Sequence, residues 1–177
     1  INASTFEALG GNIDDSEVVT VTAIIIDKAG NPRTGTVSSN TITVDQTVPT
    51  ITITSTTSGV SDGSTTNDSS ISLTFTSSED TSNFVVSDIT VSNGSLSSFS
   101  TTSNKIYTAT FTPTSDGDST IDVAADNFTD TAGNGNTAAT QFNWKYDSTN
   151  PSTFTTGTVV ATGGTIVSNY WNSTNTG

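Results

Sequence analysis

The sequence has no cysteine and no histidine, and only four Lys plus Arg against seventeen Asp plus Glu. Without Cys or His there is no thiolate or imidazole ligand for a metal, no thiol nucleophile and no Ser-His-Asp triad. Carboxylate, carbonyl and hydroxyl oxygens are the ligands that remain. The absence of Cys suits an extracellular protein that does without disulfides as well as a cytosolic one. A formal net charge of -13 argues against nucleic acid and anionic membrane surfaces as partners, because both are held through basic patches. Hard cations are the partners it invites. No apolar run approaches the roughly eighteen residues of a membrane span, so no membrane insertion is expected. No basic-then-apolar leader opens the chain, yet it starts at Ile1 and stops at Gly177 in an unfinished strand pattern, as a segment of something longer would.

Apolar residues are scarce too, at 31% of 177 residues. Low hydrophobicity with high net charge is ordinarily the composition of disorder. The spacing argues otherwise: the apolar residues recur with period two and include eight Phe, three Tyr and two Trp, placed where strands would bury them. Ser and Thr fill the alternate positions. Thr favours strands through its branched β-carbon, and both hydroxyls compete with helical hydrogen bonding, so no helix is expected.

Two landmarks repeat. Asp45-Gln46-Thr47-Val48-Pro49 breaks one β-like run and Asp147-Ser148-Thr149-Asn150-Pro151 breaks another, an interval of 102 residues from 45 to 147. Upstream of each lies a matching loop, Asp27-Lys28-Ala29-Gly30-Asn31 and Asp130-Thr131-Ala132-Gly133-Asn134, 103 residues apart from 27 to 130. A shared period of about 100 residues marks a tandem module, with Asp-x-Thr-x-Pro as its joint. The expected division is the C-terminal part of one module over 1–48, a complete module over 49–147, and the N-terminal part of another over 148–177.

In the complete module, Ile51 and Ile53 mark a first strand, Ile71, Leu73 and Phe75 a second, and Ile89 and Val91 a third. Leu96 and Phe99 mark a short fourth, Tyr107, Ala109 and Phe111 a fifth, Ile121 and Val123 a sixth, and Phe142, Trp144 and Tyr146 a seventh. Seven short strands flanked by Gly, Asn, Asp or Ser predict an all-β fold, an immunoglobulin-like Greek-key sandwich. Asn93-Gly94 is a tight-turn signal between the third and fourth strands, and Pro113 closes the fifth. Upstream, strands are expected over 18–27 and 36–44 with a loop between them; downstream, short β runs are expected at 158–161 and 165–167.

The Asp-x-Ala-Gly-Asn loop, the strand after it and the Asp-x-Thr-x-Pro joint resemble bacterial immunoglobulin-like repeats of large secreted adhesins and surface proteins. Ser87-Asp88-Ile89-Thr90-Val91-Ser92-Asn93-Gly94, Tyr107-Thr108-Ala109-Thr110-Phe111-Thr112-Pro113 and Asp130-Thr131-Ala132-Gly133-Asn134 extend that resemblance along nearly the whole module. It implies a cell-surface or secreted multidomain protein in which such repeats serve as stalks, often with calcium at the joints.

The residues themselves lead to the same ion. In a seven-strand sandwich the second-to-third and sixth-to-seventh loops lie at the end facing the preceding joint. They offer Glu79 and Asp80, and Asp126, Asn127, Asp130 and Asn134, while the joint supplies Asp45. Carboxylates converging without Lys or Arg repel one another until a cation enters, and Ca²⁺ takes six to eight oxygens in flexible geometry. Asp147 is the corresponding candidate for the next joint, with its other ligands beyond Gly177. The alternative for each position is that Asp and Asn are what turns prefer, because their side chains cap nearby amides. Asp88, which opens a strand, fits either role, and Thr114-Ser115-Asp116-Gly117-Asp118 reads as a turn.

The function expected is that of a structural spacer in an extracellular repeat protein, an adhesin or a surface filament. Its partners are neighbouring modules of the same chain and neighbouring copies in a filament, its joints are stiffened by Ca²⁺, and catalysis is not expected. Two other readings stand beside it. One is a carbohydrate- or receptor-binding module with Trp144 and Tyr146 as an exposed platform, and the other an accessory module of a secreted glycosidase.

Overall fold

A computed structural model describes residues 14–37, 39, 41–155 and 157. Twelve strands lie in these residues: β1 (Val18–Val19), β2 (Ile24–Ile26), β3 (Pro32–Thr34), β4 (Ile42–Thr43), β5 (Ile51–Ser55), β6 (Ser64–Thr66), β7 (Ile71–Ser77), β8 (Ile89–Val91), β9 (Gly94–Ser103), β10 (Ile106–Pro113), β11 (Gly117–Val123) and β12 (Phe142–Tyr146), with alternating apolar and hydroxyl side chains in β5, β7 and β10. Among the described residues there is no α-helix, only a single 3₁₀ turn at Val86–Asp88. Asp88 caps that turn by accepting the Val85 N–H at 2.8 Å.

From β5 onward the strands form two four-stranded sheets, one in the order β5-β7-β10-β9 and the other β6-β12-β11-β8. The chain changes sheet at β5 to β6, β6 to β7, β7 to β8, β8 to β9 and β10 to β11, and stays within one only at β9 to β10 and β11 to β12, as the Greek-key connections of an immunoglobulin-like sandwich do. All pairs are antiparallel except β12 with β6. The expected seven strands are present, with the first divided between the two sheets. Its leading half, β5, pairs with β7; its trailing half, β6, pairs with β12. The sequence reading missed β6 because Ser64-Thr65-Thr66 contains no apolar residue. A hydrogen bond holds it instead: Thr66 Oγ1 accepts the Trp144 indole N–H at 3.1 Å. The fourth strand is also longer than expected, ten residues in β9. Asn93-Gly94 does turn sharply, with Asn93 at φ 51°, but it carries the chain from one sheet to the other and closes no hairpin. A side chain at Gly94 would run into the Phe111 ring.

The core lies between the sheets. Ile71, Leu73 and Phe75 of β7, Tyr107, Ala109 and Phe111 of β10, Ile121 and Val123 of β11, and Phe142 and Trp144 of β12 are buried, each set at the two-residue period of its strand. Two aromatics from outside the strands complete it, Phe84 and Phe128. Phe84 packs against Phe75, Phe99, Tyr107 and Phe128 with centroid separations of 5.9, 5.9, 5.0 and 5.1 Å. It thereby plugs the end of the sandwich where Tyr107 donates its hydroxyl to the Thr81 carbonyl at 2.9 Å. Buried Asn136 does the same by hydrogen bonding: its Oδ1 accepts the Phe128 N–H at 2.9 Å, and its amide donates to the Ala124 and Thr137 carbonyls at 2.8 Å each. β5, β7, β9 and β10 carry no charged residue at all; the acidic residues sit in the other sheet, the loops and the joints.

Residues 14–44 form two short two-stranded sheets. β1 pairs with β4, and β2 with β3. β3 lies inside the stretch expected to be loop. The Asp27 loop folds the chain back so tightly, with Gly30 at φ 91°, that Pro32 to Thr34 return alongside Ile26 to Ile24. In the central module the same turn, with Gly133 at φ 100°, is flanked by the single bridge Thr129 to Gly135. The β runs expected at 158–161 and 165–167 and the Tyr170-Trp171 pair lie outside the described residues.

Phe84→Ala removes a ring that four other aromatics enclose and is expected to cost about 3–5 kcal/mol in denaturant unfolding. Its exposed neighbour gives the control: Val85→Ala should stay within about 0.5 kcal/mol of the parent. Equal losses for the two would mean that Phe84 does not close the core.

Candidate metal centre at the first joint

Asp130 opens the turn between the sixth and seventh strands of the sandwich, and its position follows from the way that turn is built. Its Oδ1 accepts the N–H groups of Ala132, Gly133 and Asn134 at 2.8, 2.7 and 2.9 Å, and its Oδ2 accepts the Asn134 amide at 2.9 Å. A short acidic side chain followed three residues later by Gly in the left-handed region is the chemistry such a turn requires. Asp27 does the same in the preceding repeat, accepting the Ala29 and Asn31 N–H groups at 2.8 and 2.9 Å and the Asn31 amide at 3.0 Å. The carboxylate is thus a turn residue first. In the central module it is also buried, 6% exposed, and directed at the joint.

There it meets two others. Asp45, Glu79 and Asp130 bring carboxylate oxygens within 4.8 Å of one another. Asn134 stitches the group together, its amide also donating to the Asp45 carbonyl at 3.1 Å. Burial pushes the Glu79 carboxyl up from its ordinary value of 4.5, and the charges of Asp45 and Asp130 push it further; Lys105 opposes them. Burial pushes Asp130 up as well, but the Asn134 amide and the loop N–H groups outweigh it and hold Asp130 below the ordinary carboxylate range. Asp130 therefore stays charged and Glu79 bears the repulsion.

Lys105 corrects the expectation that these carboxylates converge without Lys or Arg. It lies in the turn between β9 and β10, and its amine donates to the Ser78 carbonyl at 2.9 Å, beside Glu79. One lysine does not balance three carboxylates, and Glu79 remains raised.

The residue set fits a hard cation. Asp130 Oδ1 is committed to its loop, and Asp45 Oδ1 accepts the Thr47 N–H at 3.1 Å. The second oxygen of Asp45, a Glu79 oxygen and the remaining lone pair of Asp130 Oδ2, which already accepts the Asn134 amide, are the ligand atoms the three residues can offer one ion, with water to complete a Ca²⁺ shell of six to eight. The other three candidates lie elsewhere. Asp80 is exposed, and its charge adds to burial in raising the Tyr107 hydroxyl. Asp126 is exposed in the left-handed region at φ 60°, packed against Gly135, where an added Cβ would strike its Oδ1. Asp147 sits at the second joint, accepting the Thr149 N–H at 3.0 Å, and the other ligands expected for it lie outside the described residues. Of the remaining loop candidates, Asn127 turns away and donates to the Asp88 carbonyl at 2.8 Å.

A family model described as a bacterial Ig-like domain matches residues 45–146. Its limits run from the first carboxylate of the cluster to the last residue of β12. No curated protein and no solved structure matches the chain.

The raised Glu79 carboxyl has a signed consequence for stability. A group whose pKa is higher folded than unfolded stabilises the fold below the unfolded value, and that contribution is lost as pH rises through the folded value. For Glu79 the loss begins above pH 4.5. In metal-free buffer, Glu79→Gln should therefore melt higher than the parent at pH 7 and equal to it below the window. A variant that melts lower than the parent at pH 7 in chelator would contradict the clustered geometry.

Proposed function

Because the chain belongs to the bacterial Ig-like domain family, we propose that it is a non-catalytic spacer segment of an extracellular repeat protein, with joints stiffened by Ca²⁺. The observation that carries this reading is the position of the carboxylate cluster. Two of its members, Glu79 and Asp130, belong to the body of the sandwich, while Asp45 belongs to the chain entering it. An ion held there ties the connector to the module it feeds. Domains of this family are usual on surface and secreted proteins, and the acidic, Ser- and Thr-rich exterior keeps a rod of such units soluble and mutually repelling. The tandem division at 1–48, 49–147 and 148–177 draws support from the two Asp-x-Ala-Gly-Asn loops, which make the same hydrogen bonds. The neighbours it would contact are further modules of its own chain and copies alongside it in a filament.

The carbohydrate-binding alternative rested on an exposed aromatic platform. Trp144 is 1% exposed, its indole N–H is taken up by Thr66, and Tyr146 packs against it at 5.9 Å. Trp144 is part of the core and half-buried Tyr146 packs against it, which removes the main support for that reading. No observation favours the accessory-module reading over a spacer.

Thermal melting tests the metal. A ligand that binds the folded state alone at about 100 times its Kd adds about 2.7 kcal/mol, which moves the midpoint of a domain this size by roughly 10 °C or more. Ca²⁺ should raise the melting temperature, chelator should reverse it, and the Asp45→Asn, Glu79→Gln double variant should lose the response. An unchanged midpoint on adding Ca²⁺ would overturn the metal assignment and leave the spacer reading without its stiff joint.

A further inference from the structure

Asp15 and Asp116 take no part in the carboxylate cluster, yet each grips the joint that follows it. At the first joint, Asp15 Oδ1 accepts the Gln46 N–H and its Oδ2 accepts the Thr47 hydroxyl, both at 2.7 Å. At the second, Asp116 Oδ1 accepts the Ser148 N–H at 3.0 Å and the Ser148 hydroxyl at 2.7 Å, and its Oδ2 accepts the Thr149 hydroxyl at 2.6 Å. In both cases the acid of the joint closes the same small turn, Thr47 N–H to Asp45 at 3.1 Å and Thr149 N–H to Asp147 at 3.0 Å. Ser16 and Gly117, which follow the two gripping residues, both have positive φ, 67° and 134°. The grip spans 32 residues in one repeat and 33 in the other. Two stretches of different sequence have thus arrived at one arrangement.

We infer that Asp15 and Asp116 are joint clasps: each fixes the first residues of the connector to the module just completed, so that the chain leaves in a set direction without any cation. The chemistry accounts for the motif. The second position of Asp-x-Thr contributes its N–H in both repeats and therefore varies, Gln46 in one and Ser148 in the other. The third contributes a hydroxyl to a carboxylate and is Thr in both. Hydrogen bonds to an ionised acceptor are the strong ones, and the connector's donors hold both carboxyls below the ordinary range: the Gln46 N–H and then the Thr47 hydroxyl at Asp15, the Thr149 and Ser148 hydroxyls at Asp116.

At the first joint the other end is held by the next module. Asn134 binds the Asp45 carbonyl, Thr137 N–H donates to the Pro49 carbonyl at 2.9 Å, and Thr50 N–H donates to Ser78 Oγ at 2.9 Å. The connector is bracketed from both sides, the upstream side by a clasp and the downstream side by the cluster. This deepens the spacer reading and rests on it for its purpose, but the clasp itself needs no metal.

Hydrogen exchange of the 177-residue chain, run in chelator and again in Ca²⁺, separates the two. Asp15→Ala should speed exchange of the Gln46 amide, and Asp116→Ala that of the Ser148 amide, by about tenfold or more in both buffers. The Ala132 and Gly133 amides report that the sandwich is intact and should not change. Thr149→Val, which removes a single bond, should speed Ser148 less than Asp116→Ala does. Unchanged Gln46 and Ser148 protection in the alanine variants would overturn the clasp, whatever Ca²⁺ does to the melting temperature. A clasp effect that persists where Ca²⁺ has no effect on melting would sink the metal and keep the clasp.

Discussion

With seventeen acidic side chains and four basic ones, this protein cannot neutralise its carboxylates by pairing them. It satisfies them with N–H and O–H donors instead. Asp27 and Asp130 each accept a fan of loop amides, Asp88 caps a 3₁₀ turn, Asp62 accepts the Asn143 N–H at 2.7 Å, and Asp15 and Asp116 accept connector donors. At Asp15, Asp27, Asp116 and Asp130 these bonds favour the ionised form, and every one of them orders the loop that supplies the donor. The turns and joints of the molecule are therefore shaped around its acids. At the first joint three acids meet and the donors are insufficient; the strain of that shortage falls on Glu79, and the same shortage makes the place suitable for a cation.

The sandwich is arranged so that this chemistry happens at its ends. Its core is thin, one layer of aromatic and branched side chains between two sheets, and the sheet containing β5, β7, β9 and β10 is free of charge. Dividing the first strand between β5 and β6 lets both sheets begin with the incoming chain. The seventh strand, β12, lies next to β6 and leaves toward the second joint. Entry and exit are at opposite ends, which is what a module in a linear array needs. Phe84 and Asn136 close the entry end, one by packing and one by hydrogen bonding, and Glu79 and Asp130 stand on that closed end.

Much of this was legible in the residues. The two-residue period identified the core positions of the strands, since a strand with one wet face must alternate. The paired Asp-x-Ala-Gly-Asn and Asp-x-Thr-x-Pro landmarks drew attention to the first joint, where Asp45, Glu79 and Asp130 converge. β6 was not legible, having no apolar residue to mark it, and neither were Phe84 and Phe128, which reach the core from irregular segments where periodicity says nothing. Asp116 read only as a turn residue. The spacing of Asp15 and Asp116 ahead of each joint was a third repeated landmark that could have pointed to them.

The residue pattern by itself determined the class of fold, the interval between the paired landmarks and the kind of ligand atom available, because these depend on local alternation, on self-similarity and on composition. Which acids meet was decided only in three dimensions. Asp80 is adjacent to Glu79 and Asp126 is in the same loop as Asp130, yet neither joins the cluster. Neighbouring residues in a turn point in different directions, and only the folded backbone determines which of them faces the joint.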